Sequence, residues 1–149
     1  MATVDPTQAV QTGVWALLSS DPQIKQTITN VLDEMPELSA RDYPFIAIPD
    51  ATSTFDGTHD DPGRKVRLRI HTYTKGDARP LNYRPENLVG ARIMELLDRG
   101  QHLAFDPYVE GHTVWMIRHI ESRKMPGNDR SVRHRVDTVD IWVSNGVVS

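Results

Sequence analysis

From Lys65 to Thr74 the chain alternates without a break. Val66, Leu68, Ile70 and Thr72 fall on one side of an extended strand, with Lys65, Arg67, Arg69, His71 and Tyr73 on the other. Successive strand side chains point to opposite faces, so this segment needs one dry face and one wet, basic face. Such alternation is the mark of a sheet covered on one side only, the habit of antiparallel sheets. The chain must therefore supply more strands to pair with this one, and helices to cover its apolar side.

Both are legible. Asp5-Pro6 opens a helix to about Ser20, with a capping residue followed by a proline suited to the first helical position. Val10, Val14, Leu17 and Leu18 share one side of it, and Asp21-Pro22 ends it and starts a short second turn. Gly13 costs about 1 kcal/mol against alanine inside a helix, which close packing on another backbone would explain. A second helix spans about Pro85 to Arg99, with an apolar stripe of Val89, Ile93, Leu96 and Leu97. Glu86 in its first turn and Arg99 in its last suit the helix dipole, and Gly100 is placed to cap it.

Ile28–Leu32 reads as a strand, and Tyr43–Pro49 as a short or edge strand bounded by prolines. Asp50–Arg64, rich in Asp, Thr, Gly and Ser, reads as an exposed loop or hairpin. His112–Arg123 and Arg133–Ser144 read as a long hairpin, with a bulge near Arg118-His119. The order predicts an α+β fold: a two-layer sandwich, with two main helices on one face of a mostly antiparallel or mixed sheet of four to five strands. At 149 residues the chain is the size of one domain, 1–149, since domains run to roughly 100–200 residues.

Several classes are excluded or disfavoured. No apolar stretch approaches the about 20 residues of a membrane span. Met1–Val10 lacks a basic n-region and carries Asp5, against a secretory signal. The chain has no cysteine, so disulfides, thiolate zinc sites and thiol catalysis are absent. No GxGxxG, Walker or Gly-x-Ser-x-Gly sequence is present. A nucleophile would have to be Ser or Thr activated by one of the six histidines. Asp56-Gly-Thr-His59-Asp60-Asp61 has oxygen and imidazole donors but not the spacing of a calcium loop, and reads first as a solvated turn. These features predict neither enzyme, metal nor cofactor.

The charge is uneven. Residues 1–63 hold ten acids against Lys25 and Arg41, and residues 64–149 hold fifteen bases against ten acids. Two unlike patches on one chain suit head-to-side association with copies of itself, or two different partners. The basic stretch 118–135 could also meet phosphates, but it lacks the interleaved aromatics of a single-strand reader. Trp15 points off the core stripe of the first helix, and Phe55 stands alone in polar sequence; each is either covered by a loop or a partner anchor. The candidate subunit or partner interface comprises Trp15, Phe55, Asp56, Asp60, Asp61, Arg118, Arg123, Lys124, Arg130 and Arg133.

A wider pattern runs through Ala9–Leu18 with Ser20-Asp21-Pro22 after it, the Tyr43–Ile48 strand, Ser53–Thr58 and the Val66–Thr74 strand. It continues through the helix ending Ile93–Asp98 and the final strand pair with its polar tip. In order and character this resembles the tail-terminator (tail-completion) proteins of long-tailed phages and related gene transfer agents. The chain departs from the pattern in Lys25–Asp42 and Arg79–Pro85. The resemblance implies a structural virion subunit at the tail–head junction, assembled in the host cytoplasm. It implies a homo-hexameric ring that caps the tail tube and ends tube polymerisation. The partners so implied are the tail tube protein, the head-completion or stopper protein, and genome DNA passing through the lumen without sequence-specific binding, with no membrane. Another head–tail connector, an adaptor or stopper, is the alternative, and a nucleic-acid-binding module a further one.

Overall fold

The computed structural model describes residues 2–32, 43–55, 63–76, 84–125, 132–144 and 146–148. The described elements are β1 (Ala2–Val4), α1 (Thr7–Ser20), α2 (Pro22–Lys25), β2 (Asn30–Leu32), β3 (Phe45–Phe55) and β4 (Gly63–Lys75). They continue with α3 (Pro85–Leu96), α4 (His102–Phe105), a 3-10 turn (Asp106–Tyr108), β5 (Val114–Met125), β6 (Val132–Ser144) and β7 (Gly146–Val148). Five strands form one sheet in the order β2-β3-β4-β6-β5, and β1 and β7 pair apart from it. Every pair in the large sheet is antiparallel except β2 with β3, so the sheet is mixed.

The alternation along β4 sets the layers. Val66, Leu68 and Ile70 are buried in a core with Ile46, Ile48, Ile117, Val139, Ile141 and Val143 from the neighbouring strands. Val10, Val14 and Leu18 of α1 and Val89 and Ile93 of α3 close that core, as their spacing requires. α1 lies over β3, α3 over β4 and β6, and α4 over β5. The architecture is therefore α+β, with helices on a mostly antiparallel sheet.

Gly13 is explained. A Cβ there would stand 2.7 Å from the Tyr108 carbonyl oxygen, so the helix lies directly on the 3-10 turn. Asp21 accepts the Ile24 N–H at 3.0 Å and caps α2.

The structure departs from the sequence expectations in three places. β3 is not short: it runs through Pro49 to Phe55, and β2 flanks only Phe45–Ala47 of it, so Pro49 lies where β3 has β4 as its one neighbour among the described residues. The register shift between Ala47 and Asp50 absorbs the proline, which cannot donate to a ladder. Of the two readings of Asp50–Arg64, loop or hairpin, the hairpin holds at its ends: Asp50–Phe55 and Gly63–Arg64 are paired strand residues. α3 stops at Leu96, so Arg99 does not lie in its last turn; Gly100, at φ +86°, takes the left-handed turn beyond it. The short helix α4 and the terminal β1–β7 pair had no periodic signal. The bulge expected near Arg118-His119 is present, between His119 and Glu121.

Candidate functional site

The helices cover one face of the sheet, and the other face is where the polar chemistry gathers. The antiparallel register places Lys65, Arg67, Arg69, His71 and Tyr73 of β4 opposite Trp142, Asp140, Thr138, Val136 and His134 of β6. On β5, Arg118, Glu121, Arg123 and Met125 stand opposite Asp140, Thr138, Val136 and His134. Three strands thus contribute to one surface. At its centre is a groove of about 480 Å³, lined by Arg67, Arg69, His71, Arg123, Ile120 and Val136 among others.

The cations there are not equivalent. Arg67 holds Asp140 through two parallel bonds of 2.7 and 2.9 Å, the fork geometry that suits guanidinium and carboxylate. Arg123 lies 3.3 Å from Glu121. Arg69 and Arg118 are exposed and form no ion pair among the described residues.

One end of this face is closed by rings. Phe45 is fully buried against Tyr73, with ring centres 4.9 Å apart, and Tyr73 stacks on His134 at 4.0 Å. His71 Nδ1 and His134 Nε2 are 2.9 Å apart, so one ring donates to the other. Burial, reinforced by the neighbouring His71, pushes the His134 imidazole down to about 4. Burial also lowers His71, against the opposing pull of Asp50. Both rings are neutral near pH 7.

On the helix-facing side, Ser122, His119 and Asp137 meet. This brings together the residue types that an activated serine would need, which the sequence did not place in one cluster. The geometry is not that of a nucleophile and its base. Ser122 Oγ and Asp137 Oδ1 both contact the same ring nitrogen, His119 Nε2, at 3.2 and 2.9 Å. In a triad the carboxylate holds one ring nitrogen and frees the other for serine. Here Ser122 donates to Asp137 itself at 2.6 Å and accepts from Arg135 Nη2 at 2.8 Å. Arg135 also reaches Asn87 of α3, and its guanidinium lies where a Gly90 side chain would be. The cluster is a polar tie between β5, β6 and α3, with Asp137 fully buried at its centre. Among the described residues no group of three or more His, Asp and Glu could hold a metal ion.

The residues singled out from the sequence divide. Arg118 and Arg123 lie on the open face. Lys124 and Arg133 fall at the alternate register positions, opposite Arg135 and Thr74. That separates a basic group that a linear reading lumped together. Trp15 is 40 % exposed, and its indole N–H donates to the Val31 carbonyl at 2.8 Å, which fixes the ring beside Gln8, Gln11 and Thr12. Phe55 is 59 % exposed at the end of β3, on a strand rather than in a loop. Asp56, Asp60, Asp61 and Arg130 lie outside the described residues, as does the Asp56–Asp61 donor set. The sequence missed that β4 cations and β5 arginines share one surface. The alternation of β4 and the final hairpin together held that signal.

A fold of this kind occurs in a chain from the virion of a native gene transfer agent particle. The two superpose with a TM-score of 0.75 over 95 % of this chain and 98 % of that one, at 14 % sequence identity. No family model matches the sequence, and no curated protein matches it. No helix among the described residues is long and apolar enough to cross a membrane.

Proposed function

We propose that this chain is a structural virion protein of a phage-like particle, a tail terminator of one domain over residues 1–149. In this reading it forms a six-subunit ring on the end of the tail tube, stops tube growth and joins the tail to the head-completion proteins at the tail–head junction. DNA passes through the ring without being read. The chain does no catalysis.

The observation that carries the proposal is the fold shared, nearly end to end, with a chain of the gene transfer agent virion. The order of elements in the sequence, helix first and long hairpin last, supports it independently, because that order resembles the tail terminators. The His119–Asp137–Ser122 arrangement supports a non-enzymatic role, because its one contacted nitrogen is shared between carboxylate and hydroxyl.

The test is capping. Purified protein added to growing tail-tube polymers should stop elongation and appear as a ring at the tube end in negative stain. Tubes that elongate normally in its presence would sink the proposal. Within the same reading, Asp56, Asp60 and Asp61 serve neighbour contacts together with Arg123, Lys124 and Arg130. Reversing the charge of Asp60 and Asp61 should impair assembly and leave the fold intact.

A further inference from the structure

The two layers carry opposite charge. The four long strands, β3 to β6, hold ten Arg and Lys against four Asp and Glu. The rest of the described chain holds four Arg and Lys against seven Asp and Glu. By the register, Arg64, Lys124, Arg133 and Arg135 among the strand cations lie on the helix side, so the open sheet face itself carries six Arg and Lys against three Asp and Glu, while the helices and connections are net negative.

Each layer also bears an apolar feature inside its charge. On the open sheet face, the groove of about 480 Å³ has Ile120, Val136 and Met125 among its lining, with Arg67, Arg69 and Arg123 outnumbering Asp50 and Glu121 around them. On the helix layer, Leu103 of α4 is the most exposed large apolar side chain among the described residues, at 75 %, and Tyr108 just beyond it is 38 % exposed. Asp98, Asp106 and Glu110 flank them in sequence against Arg99, with Asp98 and Asp106 also accepting the His119 and Val114 N–H groups. A protruding leucine in a net-acidic setting and a partly apolar groove whose charged lining is net basic are complementary in charge and in polarity. They lie on opposite layers of one chain, so no single molecule can satisfy both by itself.

We propose that the occupant of the open sheet face is a second copy of this chain, which presents the α4 segment, Leu103 to Tyr108, to the groove. The contact is heterologous: one copy's sheet face meets the next copy's helix layer. Two unlike patches of this kind propagate, and close into a ring when the rotation permits. Opposite charge fixes partner and register and speeds encounter, and the buried apolar contact supplies the affinity. Arg69 and Arg118 are the cations to be paired across the contact, being exposed and free of ion pairs among the described residues. This interface deepens the ring reading, on which it rests, and it can fail separately from tube capping.

The experiment uses two variants of the full chain. One, Arg69→Glu with Arg118→Glu, spoils the sheet face. The other, Leu103→Asp with Glu110→Lys, spoils the helix face. All four positions are exposed, so both variants should fold, which far-UV circular dichroism and thermal melting check. Mass is followed by sedimentation and light scattering. The wild type should self-associate, about tenfold more weakly when salt rises from about 0.05 to about 0.5 M. Each variant alone should be monomeric. Mixed, they should form a one-to-one dimer and nothing larger, because one intact sheet face and one intact helix face remain. A wild type that stays monomeric to about 1 mM overturns the inference, as does a folded variant that assembles like the wild type or a mixture that stays monomeric. If the mixture dimerises but the wild type fails to cap tubes, the interface stands and the terminator reading falls. If the wild type caps tubes while the mixture stays monomeric, the reverse holds.

Discussion

Asp21 joins three parts of the helix layer, and removing it should cost more than any surface carboxylate would. Its side chain is 5 % exposed. It accepts the Ile24 N–H at 3.0 Å, and it accepts Arg92 Nε and Nη2 at 3.1 and 2.8 Å. Loss of the cap costs about 1 kcal/mol. Hydrogen bonds to charged groups are worth about 1.5–3 kcal/mol. The lower end applies here, because Arg92 is 25 % exposed and keeps Glu95 at 2.9 Å. Asp21→Ala should therefore destabilise the fold by about 2.5 kcal/mol. For a chain of this size that lowers Tm by about 5–10 °C. Arg92→Ala should cost about 2 kcal/mol, since it strands a buried carboxylate with only its backbone partner. The double variant should cost less than the sum, with a coupling of about 1.5 kcal/mol in the cycle. The pH dependence follows. The Arg92 guanidinium, helped by the Ile24 N–H, holds the Asp21 carboxyl below its ordinary 3.8. The folded state then binds this proton more weakly than the unfolded chain. The stabilisation is present above the ordinary value and is lost as pH falls through the lower folded one. Urea melts of the wild type and Asp21→Asn should converge towards about pH 2. A Tm drop under about 2 °C for Asp21→Ala, or no coupling in the cycle, would refute the assignment of Asp21–Arg92 as the clamp between α2 and α3.

Other substitutions probe the remaining ties. Gly90→Ala places a Cβ on top of Arg135 Nε, so it should displace the guanidinium and destabilise by about 1–3 kcal/mol despite alanine's better helix propensity; thermal melts check this. Asp137→Ala strips a fully buried acceptor from His119, Ser122 and Arg135 and should cost about 3–5 kcal/mol, read by urea unfolding. His134, pushed down to about 4, should show no imidazole shift change by NMR from about pH 7 to about pH 5. Because the unfolded chain takes that proton near its ordinary 6.5, stability should fall on acidification between about 6.5 and 4, and His134→Phe should flatten that slope.

The fold was legible where periodicity had a single reading. The β4 alternation fixed which face met the helices, and the α1 and α3 stripes supplied the covering residues. Reading failed where a local rule was overridden by context. Pro49 argued for a strand end, but a register shift let β3 pass it. Polar Asp50–Phe55 leaves loop and hairpin both open, because half-buried strand ends carry Thr and Ser. α4 is one turn long and has too few residues for a period. The interface residues show the same limit at a finer scale. Arg118 and Arg123 flank a bulge, and that bulge brings both to the open face although their spacing is odd. A linear count of charge therefore grouped Arg123 with Lys124, its immediate neighbour on the other side of the strand. Charge per residue was visible in the sequence; charge per face required the register. That distinction is what converts a chain with an acidic start and a basic end into a two-layer body whose unlike surfaces can meet.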